Sequence, residues 1–441
     1  MPALQQPFYH DQAELDAALA KLHSLPPLVT SWEIESLKRQ IAEAGDGKRF
    51  ILQGGDCAES LAECTSNSIA GKLKILLQMS LVLVMGAKKP VTRIGRIAGQ
   101  YAKPRSSPTE SRTLPDGSTL TLPSYFGDLV NEPAFTSQAR TPQPHLLVSG
   151  YQHAGLTLNF IRSLIDAGFA DLHHPEYWDL GFASASPFHR EYRKLTDSIT
   201  DSIGFMEKVV GASLSELARV EFFTSHEGLH LLYESAATRT VPRRSGFYNL
   251  ATHFPWIGNR TRALDGAHVE YFRGIANPIG VKVGPPVDFG DIARLVERLN
   301  PGRERGKITI IHRFGADSIL QQLPDLIDRV AKVGVPVTWM CDPMHGNTVS
   351  TQRGVKTRSF DAILHELRSA FDVHERIGVP LGGVHFELTG EPVTECLGGT
   401  AGPTEQDLGK NYKTSCDPRL NNEQALEMAF LIARRVAGAP T

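Results

Sequence analysis

Short apolar runs alternate with longer stretches of helical period along most of this chain. Eight runs read as strands: Phe50–Gln53, Val91–Ile97, Val220–Thr224, Tyr248–His253, Gly280–Val283, Lys307–His312, Val335–Met340 and Gly383–Leu388. Helical periods are clearest at Ser68–Ala87, Arg262–Ile275, Asp288–Leu299, Ser318–Val333, Phe360–Ile377 and Asn422–Val436. In Asp288–Leu299, for example, Ile292, Leu295, Val296 and Leu299 share one helical face. Eight alternating strand–helix units predict a parallel (β/α)8 TIM barrel in the α/β class. An open doubly wound sheet is the competing fold, and it ranks lower because no GxGxxG follows the first strand.

Residues 1–49 precede the first strand and carry two helical patterns, Asp11–Leu22 and Ser31–Ala44, so they read as an N-terminal extension. The barrel then occupies 50–441. It carries an inserted hairpin at about 106–135 around Leu114-Pro115-Asp116-Gly117-Ser118, and extra helices within about 146–218, near Gly155–Ala167 and Phe188–Val210. These additions read either as oligomer contacts and regulatory elements or as solvent-exposed decoration.

Composition narrows the picture. With 441 residues and 41% hydrophobic content the chain is long enough for one large core. A net charge of −2, from 46 basic and 48 acidic residues, points to neither nucleic acid nor a membrane surface as partner. The N-terminus has neither the basic nor the apolar region of a secretory signal. The longest apolar stretch, Ile75–Ala87, is interrupted by Gln78 and too short for a bilayer, which predicts a core helix. Five cysteines without CxxC spacing argue against a disulfide framework and for a reducing cytoplasm.

In such a barrel, chemistry belongs at the C-terminal ends of the strands. Strands two, four, five and six contribute cations there: Arg96, Lys103, Arg105, Arg260, Lys282 and Arg313. Strands seven, eight and one contribute His345, Glu387, Asp417 and Cys57, which converge if strand eight closes beside strand one. Taken singly, each of these four reads as an ordinary satisfied core residue. Together they form a mixed sulfur, nitrogen and oxygen set. That set suits Mn²⁺, Fe²⁺, Co²⁺ or Zn²⁺ with a position open to substrate, whereas a structural zinc site is more often all Cys and His. The clustered cations repel one another unless anions, phosphate or carboxylate, lie between them.

The runs GGDCAE (54–59), RIAGQYAKPRS (96–106), DGAHVEYFRGIANPIGVKVGP (265–285), CDPMHGNT (341–348), GGVHFELTGEPVTECLGG (382–399) and CDPRLN (416–421) resemble those of class II 3-deoxy-D-arabino-heptulosonate 7-phosphate (DAHP) synthases, from about residue 4 to residue 436. The resemblance implies a metal-dependent condensation of phosphoenolpyruvate with erythrose 4-phosphate, the first step of the shikimate pathway. It implies Cys57, His345, Glu387 and Asp417 as metal ligands, with Mn²⁺ the favoured ion. It implies Arg96, Arg260, Lys282 and Arg313 as the grip on phosphoenolpyruvate, and Lys103, Arg105 and Ser106 as the region that meets the aldose phosphate. Glu227, of a Ser-His-Glu run, matches an acid lining the pocket. The Lys356-Thr357-Arg358 run also matches the family, and whether it reaches substrate or packs the loop stays open. A homo-oligomer, dimer or tetramer, and aromatic amino-acid effectors are expected on the same ground.

One position departs from the pattern. The family commonly has WIGERTR where this chain has WIGNRTR, so Asn259 replaces a glutamate thought to orient or deprotonate the attacking water. An amide can hold a water but cannot serve as a base. The expected catalytic set is therefore Lys282, Glu227 and Asn259, with Glu227 handling the proton and Asn259 positioning the water. Two other readings remain: a paralogue that uses the same or a modified aldose phosphate in secondary metabolism, and a low-activity or regulatory homologue. A further expectation concerns Cys416, beside Asp417: that it pairs with Cys57 on oxidation.

Overall fold

The structure, a computed structural model, describes residues 1–167 apart from 115, residues 220–438 apart from 401, and residues 190, 191, 193, 194 and 197. Among these, eight parallel strands form one sheet: β1 (Phe50–Gly55), β2 (Val91–Arg96), β3 (Phe222–Thr224), β4 (Trp256–Ile257), β5 (Ile279–Val283), β6 (Ile308–His312), β7 (Val337–Cys341) and β8 (Gly383–Glu387). Their spatial order is β3-β2-β1-β8-β7-β6-β5-β4, so strand eight does lie beside strand one. The two ends meet through a parallel bridge from Glu227 to Trp256, with Trp256 N donating to His226 O at 3.1 Å and Phe254 N to Thr224 O at 3.1 Å. The sheet closes on itself as an α/β barrel.

Inward positions recur every second residue, and the barrel interior is graded from bottom to top as a result. Ile51, Ile94, Phe223, Phe254, Ile311 and Met340 fill the lower interior. Two residues further along their strands stand Gln53, Arg96, Ser225, Arg313 and Asp342. Gln53, Ser225 and His385 form a polar layer: Gln53 donates to Ser225 Oγ at 2.9 Å, and Gln53 Oε1 lies 2.7 Å from His385 Nδ1. Charged groups lie above it.

The bottom is plugged by helix α2 (Ser31–Gly45), which follows α1 (Gln12–Ser24). A capping box between Thr30 and Glu33 starts α2. Its Leu37, Ile41 and Ala44 pack into the apolar interior, and Thr338 Oγ donates to Ile41 O at 2.9 Å.

Around the sheet run α3 (Ser66–Ala87), α4 (His145–Asp166), α5 (Ala267–Gly274), α6 (Phe289–Leu299), α7 (Ile319–Ala331), α8 (Phe360–Ile377) and α9 (Asn422–Val436). Helix α3 is longer than its uninterrupted apolar stretch and is long and apolar enough to cross a membrane. However, 67% of that window is buried inside the protein, which makes α3 a core helix.

Three expectations shift. The fourth barrel strand is Trp256–Ile257, not Tyr248–His253; Tyr248–Asn249 instead pairs antiparallel with Thr238–Arg239. Asn277 also holds that segment: its side chain accepts from Asn249 N and donates to Asn249 O and Thr252 O, taking backbone groups that a barrel ladder would use. The helix expected near Gly155–Ala167 begins ten residues earlier, at His145. Gly150 does not break it but admits Leu129, whose Cδ1 lies 2.6 Å from where a Cβ would stand. Helix α5 starts at Ala267 rather than Arg262, because Arg262 is turned back onto Asn259 Oδ1 and Pro286 O. The expected hairpin is present as Thr109–Thr113 against Thr119–Pro123. Apart from residues 190, 191, 193, 194 and 197, the helix expected over Phe188–Val210 lies outside the described residues.

Candidate active site

A cavity of about 270 Å³ opens at the C-terminal mouth of the barrel. Its walls include Cys57, Arg96, Lys103, Arg105, Ser106, Glu227, Asn259, Arg260, Lys282, Arg313, His345 and Asp417. Every candidate site residue except Glu387 therefore lines one pocket. Glu387 sits fully buried just behind it, 2.9 Å from His345 Nε2.

Donor atoms converge in two groups that share Asp417: Cys57, Cys416 and Asp417, and His345, Glu387 and Asp417, each within 4.8 Å. The Cys57 and Cys416 thiols are 2.6 Å apart as free cysteines. Their mutual hydrogen bond raises Cys57 well above its ordinary value and lowers Cys416. The mixed thiolate, imidazole and carboxylate chemistry fits a divalent ion.

The expected ligands are each held by a second residue. Asp342 Oδ2 is 2.7 Å from His345 Nδ1, leaving Nε2 toward Glu387. Asp342 also pairs with Lys282 and accepts from the backbone N–H of Met344 at 3.0 Å. Burial opposes its ionisation, but His345 and Lys282 prevail and hold its carboxyl well below the usual range. Glu387 accepts from Arg96 at 3.0 Å and from Arg358 at 2.6 Å. These cations and His345 hold it low against the cost of burial. Arg358 is fully buried and also donates to Pro418 O, so the Lys356-Thr357-Arg358 run packs the site through Arg358, while Lys356 pairs with Asp417 at 2.9 Å.

The cations divide into two sets. Arg96 is buried, bonded to Asp56 O, Cys57 O and Glu387, and stacked over Trp256 at 5.2 Å. Lys282 is buried, and that burial lowers it to about 8 even though Asp342 acts the other way. Arg260, nearer solvent, donates to Ser106 Oγ at 3.2 Å and the half-buried Arg313 to His345 O at 3.1 Å, while the buried Lys103 donates to Ser415 O at 2.8 Å. Gln5 straps the loop by bonding both the N–H and the C=O of Arg105. Glu227 has one carboxylate oxygen buried with no partner among the described residues, and burial raises its pKa despite Lys282, Arg96 and Arg260 nearby. Asn259 Oδ1 accepts from Gly284 N at 3.0 Å and Arg262 Nε at 3.1 Å, which leaves its N–H groups for the cavity.

A model of the class-II DAHP synthetase family matches residues 1–433. The chain belongs to that family. Phospho-2-dehydro-3-deoxyheptonate aldolases of Neurospora crassa and Streptomyces coelicolor are 47% and 46% identical to it, over 98% of this chain and 92% and 95% of theirs. The Mycolicibacterium smegmatis enzyme of that name, AroG, is 43% identical over 98% of this chain and 92% of its own. DAHP synthases are metal-dependent enzymes of aromatic biosynthesis, and the fold and donor groups of this chain agree with its place among them.

Sequence reading passed over Asp342 and Gln100, and it placed Cys416 beside Asp417 and paired it with Cys57 without counting it among the metal donors. Asp342 was within reach: it stands two residues after Met340, an inward position, just as Arg313 follows Ile311. Gln100, which accepts from Glu227 N at 2.8 Å, gave no such signal.

Proposed function

We propose that this chain condenses phosphoenolpyruvate with erythrose 4-phosphate and water to give DAHP and phosphate. The observation that carries the proposal is that two metal-donor groups and a set of cations open onto the same cavity. Cys57, His345, Glu387 and Asp417 would hold a divalent ion, Mn²⁺ in our reading, which supplies Lewis acidity toward the aldehyde. Lys282, Arg313 and Arg260 bind the phosphate and carboxylate of phosphoenolpyruvate, and Arg96, tied to the ligand shell, joins that grip to the metal site. Lys103, Arg105 and Ser106, on the outer wall, meet the phosphate of the aldose.

The bond changes follow from the substrates. C3 of phosphoenolpyruvate bonds to the aldehyde carbon, water adds at C2, and the C–O bond to phosphate breaks. Glu227 moves the proton: its raised pKa and unpartnered oxygen suit a group that gains and loses one within the pocket. Asn259 orients the water through its N–H groups, because its oxygen is committed to Gly284 and Arg262.

The test is phosphate release from phosphoenolpyruvate with Mn²⁺, with and without erythrose 4-phosphate. Release that requires the aldose and stops on chelation is expected. A parent chain that is silent, with activity appearing in Asn259→Glu, would favour a chain redirected or silenced at that residue.

A further inference from the structure

The loop between β8 and α9 carries Cys416 and Asp417, and it is tied down by a residue that touches no part of the cavity. Glu395 is fully buried. One carboxylate oxygen accepts from Lys413 N at 3.2 Å, Thr414 N at 2.9 Å and Arg419 Nη2 at 2.8 Å. The other accepts from Arg419 N at 2.8 Å and Arg419 Nε at 3.0 Å. Both ends of the segment 413–419 are thus bonded to one side chain. Inside the segment, Thr414 Oγ accepts from Cys416 N at 3.1 Å and donates to Asp417 O at 3.0 Å.

Arg419 then reaches across to the other loop. Its Nη1 donates to Asp56 Oδ1 at 2.6 Å, and Asp56 precedes Cys57. Lys72 of α3 pairs with the second oxygen of Asp56. Burial disfavours the Asp56 carboxylate, but Lys72 and Arg419 overcome that and hold it below its ordinary range. Two carboxylates and two cations balance one another at 5% exposure or less, and Lys72 also meets the more exposed Glu63 at 3.3 Å.

We propose that Glu395, Arg419 and Asp56 form a clasp that fixes the Cys416–Asp417 loop against the Cys57 loop and so sets the spacing of the donor atoms before an ion binds. The three are positioning residues, and the inference rests on the ligand assignment above. Outer partners of this kind typically change metal affinity by about 10–100-fold when altered.

The clasp can be tested in the parent enzyme by amide hydrogen exchange at Lys413, Thr414 and Arg419, with the metal removed by chelation and then restored. Protection should be nearly the same in both forms and should be lost in Glu395→Gln. The clasp is refuted if the metal-free parent exchanges these amides freely, or if Glu395→Gln keeps them protected. Co²⁺ titration, followed by thiolate-to-metal absorption, gives a second reading: Glu395→Gln should bind about 10–100-fold more weakly, with KM for phosphoenolpyruvate at saturating metal unchanged. Equal Co²⁺ affinity overturns the proposal. If Glu395→Gln does not fold, Arg419→Lys replaces it, since a lysine keeps the charge but cannot bond Glu395 and Asp56 together. A parent that shows no thiolate band with Co²⁺ would instead refute the ligand assignment, while the exchange comparison still judges the clasp.

Discussion

The two ends of this barrel are built from the same strands and share almost no chemistry. At the bottom, Leu37, Ile41 and Ala44 of α2 meet Ile51, Ile94, Phe223 and Met340 in an apolar plug. At the top, the next inward positions hold Arg96, Lys282, Arg313, Asp342 and Glu387, most of them buried. Only the inward positions change; the outward residues at the top, such as Val281, Val283, Phe386 and Leu388, still belong to the core beneath the helices. A barrel separates stability from reactivity by position along a strand, and the charges persist at the top because each is paired or faces the cavity.

Substitutions at the two ends should therefore fail in different ways. The largest effect is expected for Glu227→Gln, which should cut kcat by about 10²–10⁴-fold with the urea midpoint barely moved. A near-normal kcat would remove Glu227 from the mechanism. At the other end, Leu37→Ala should cost about 2–5 kcal/mol of stability with kcat/KM preserved below the melting range. If activity falls in proportion to the packing lost, the two ends are not separable.

Arg358→Lys keeps a charge behind Glu387 but loses the bonds to Pro418 O and Thr348 Oγ. Metal affinity, measured by competition with a chelator, should weaken by about 10–100-fold, and unchanged affinity would show that Glu387 needs no such support.

The smallest effect concerns pH. Lys282 lies at about 8 instead of 10.5. Below that value it is a cation, and above it the proposed grip on phosphoenolpyruvate would lose its charge, so kcat/KM should fall by up to tenfold per pH unit in the alkaline range. Stability should move the opposite way in the absence of substrate. Between about 8 and 10.5 the unfolded chain holds a proton that the folded one has released, so this residue's contribution to stability rises with pH there. Parallel declines in both would assign the alkaline limb to unfolding.

Much of this was legible in the sequence. Eight strand–helix units and the strand-end positions of Cys57, Lys282, His345 and Glu387 could be read because period-2 alternation and the barrel rule depend on local order alone. The sequence also carried the family motifs, in keeping with the family match over residues 1–433. Tertiary structure decided the rest, since it turns on groups distant in the chain. Asn277 takes backbone groups at 249 and 252 that a barrel ladder would use, and the fourth strand is Trp256–Ile257. Arg96, expected to face substrate, spends most of its hydrogen bonds on Asp56, Cys57 and Glu387. Glu395 and Arg419 join two loops more than three hundred residues apart. A residue's type and period follow from its neighbours in sequence, but which buried charge finds which partner is fixed only when closure of the barrel brings strand eight beside strand one.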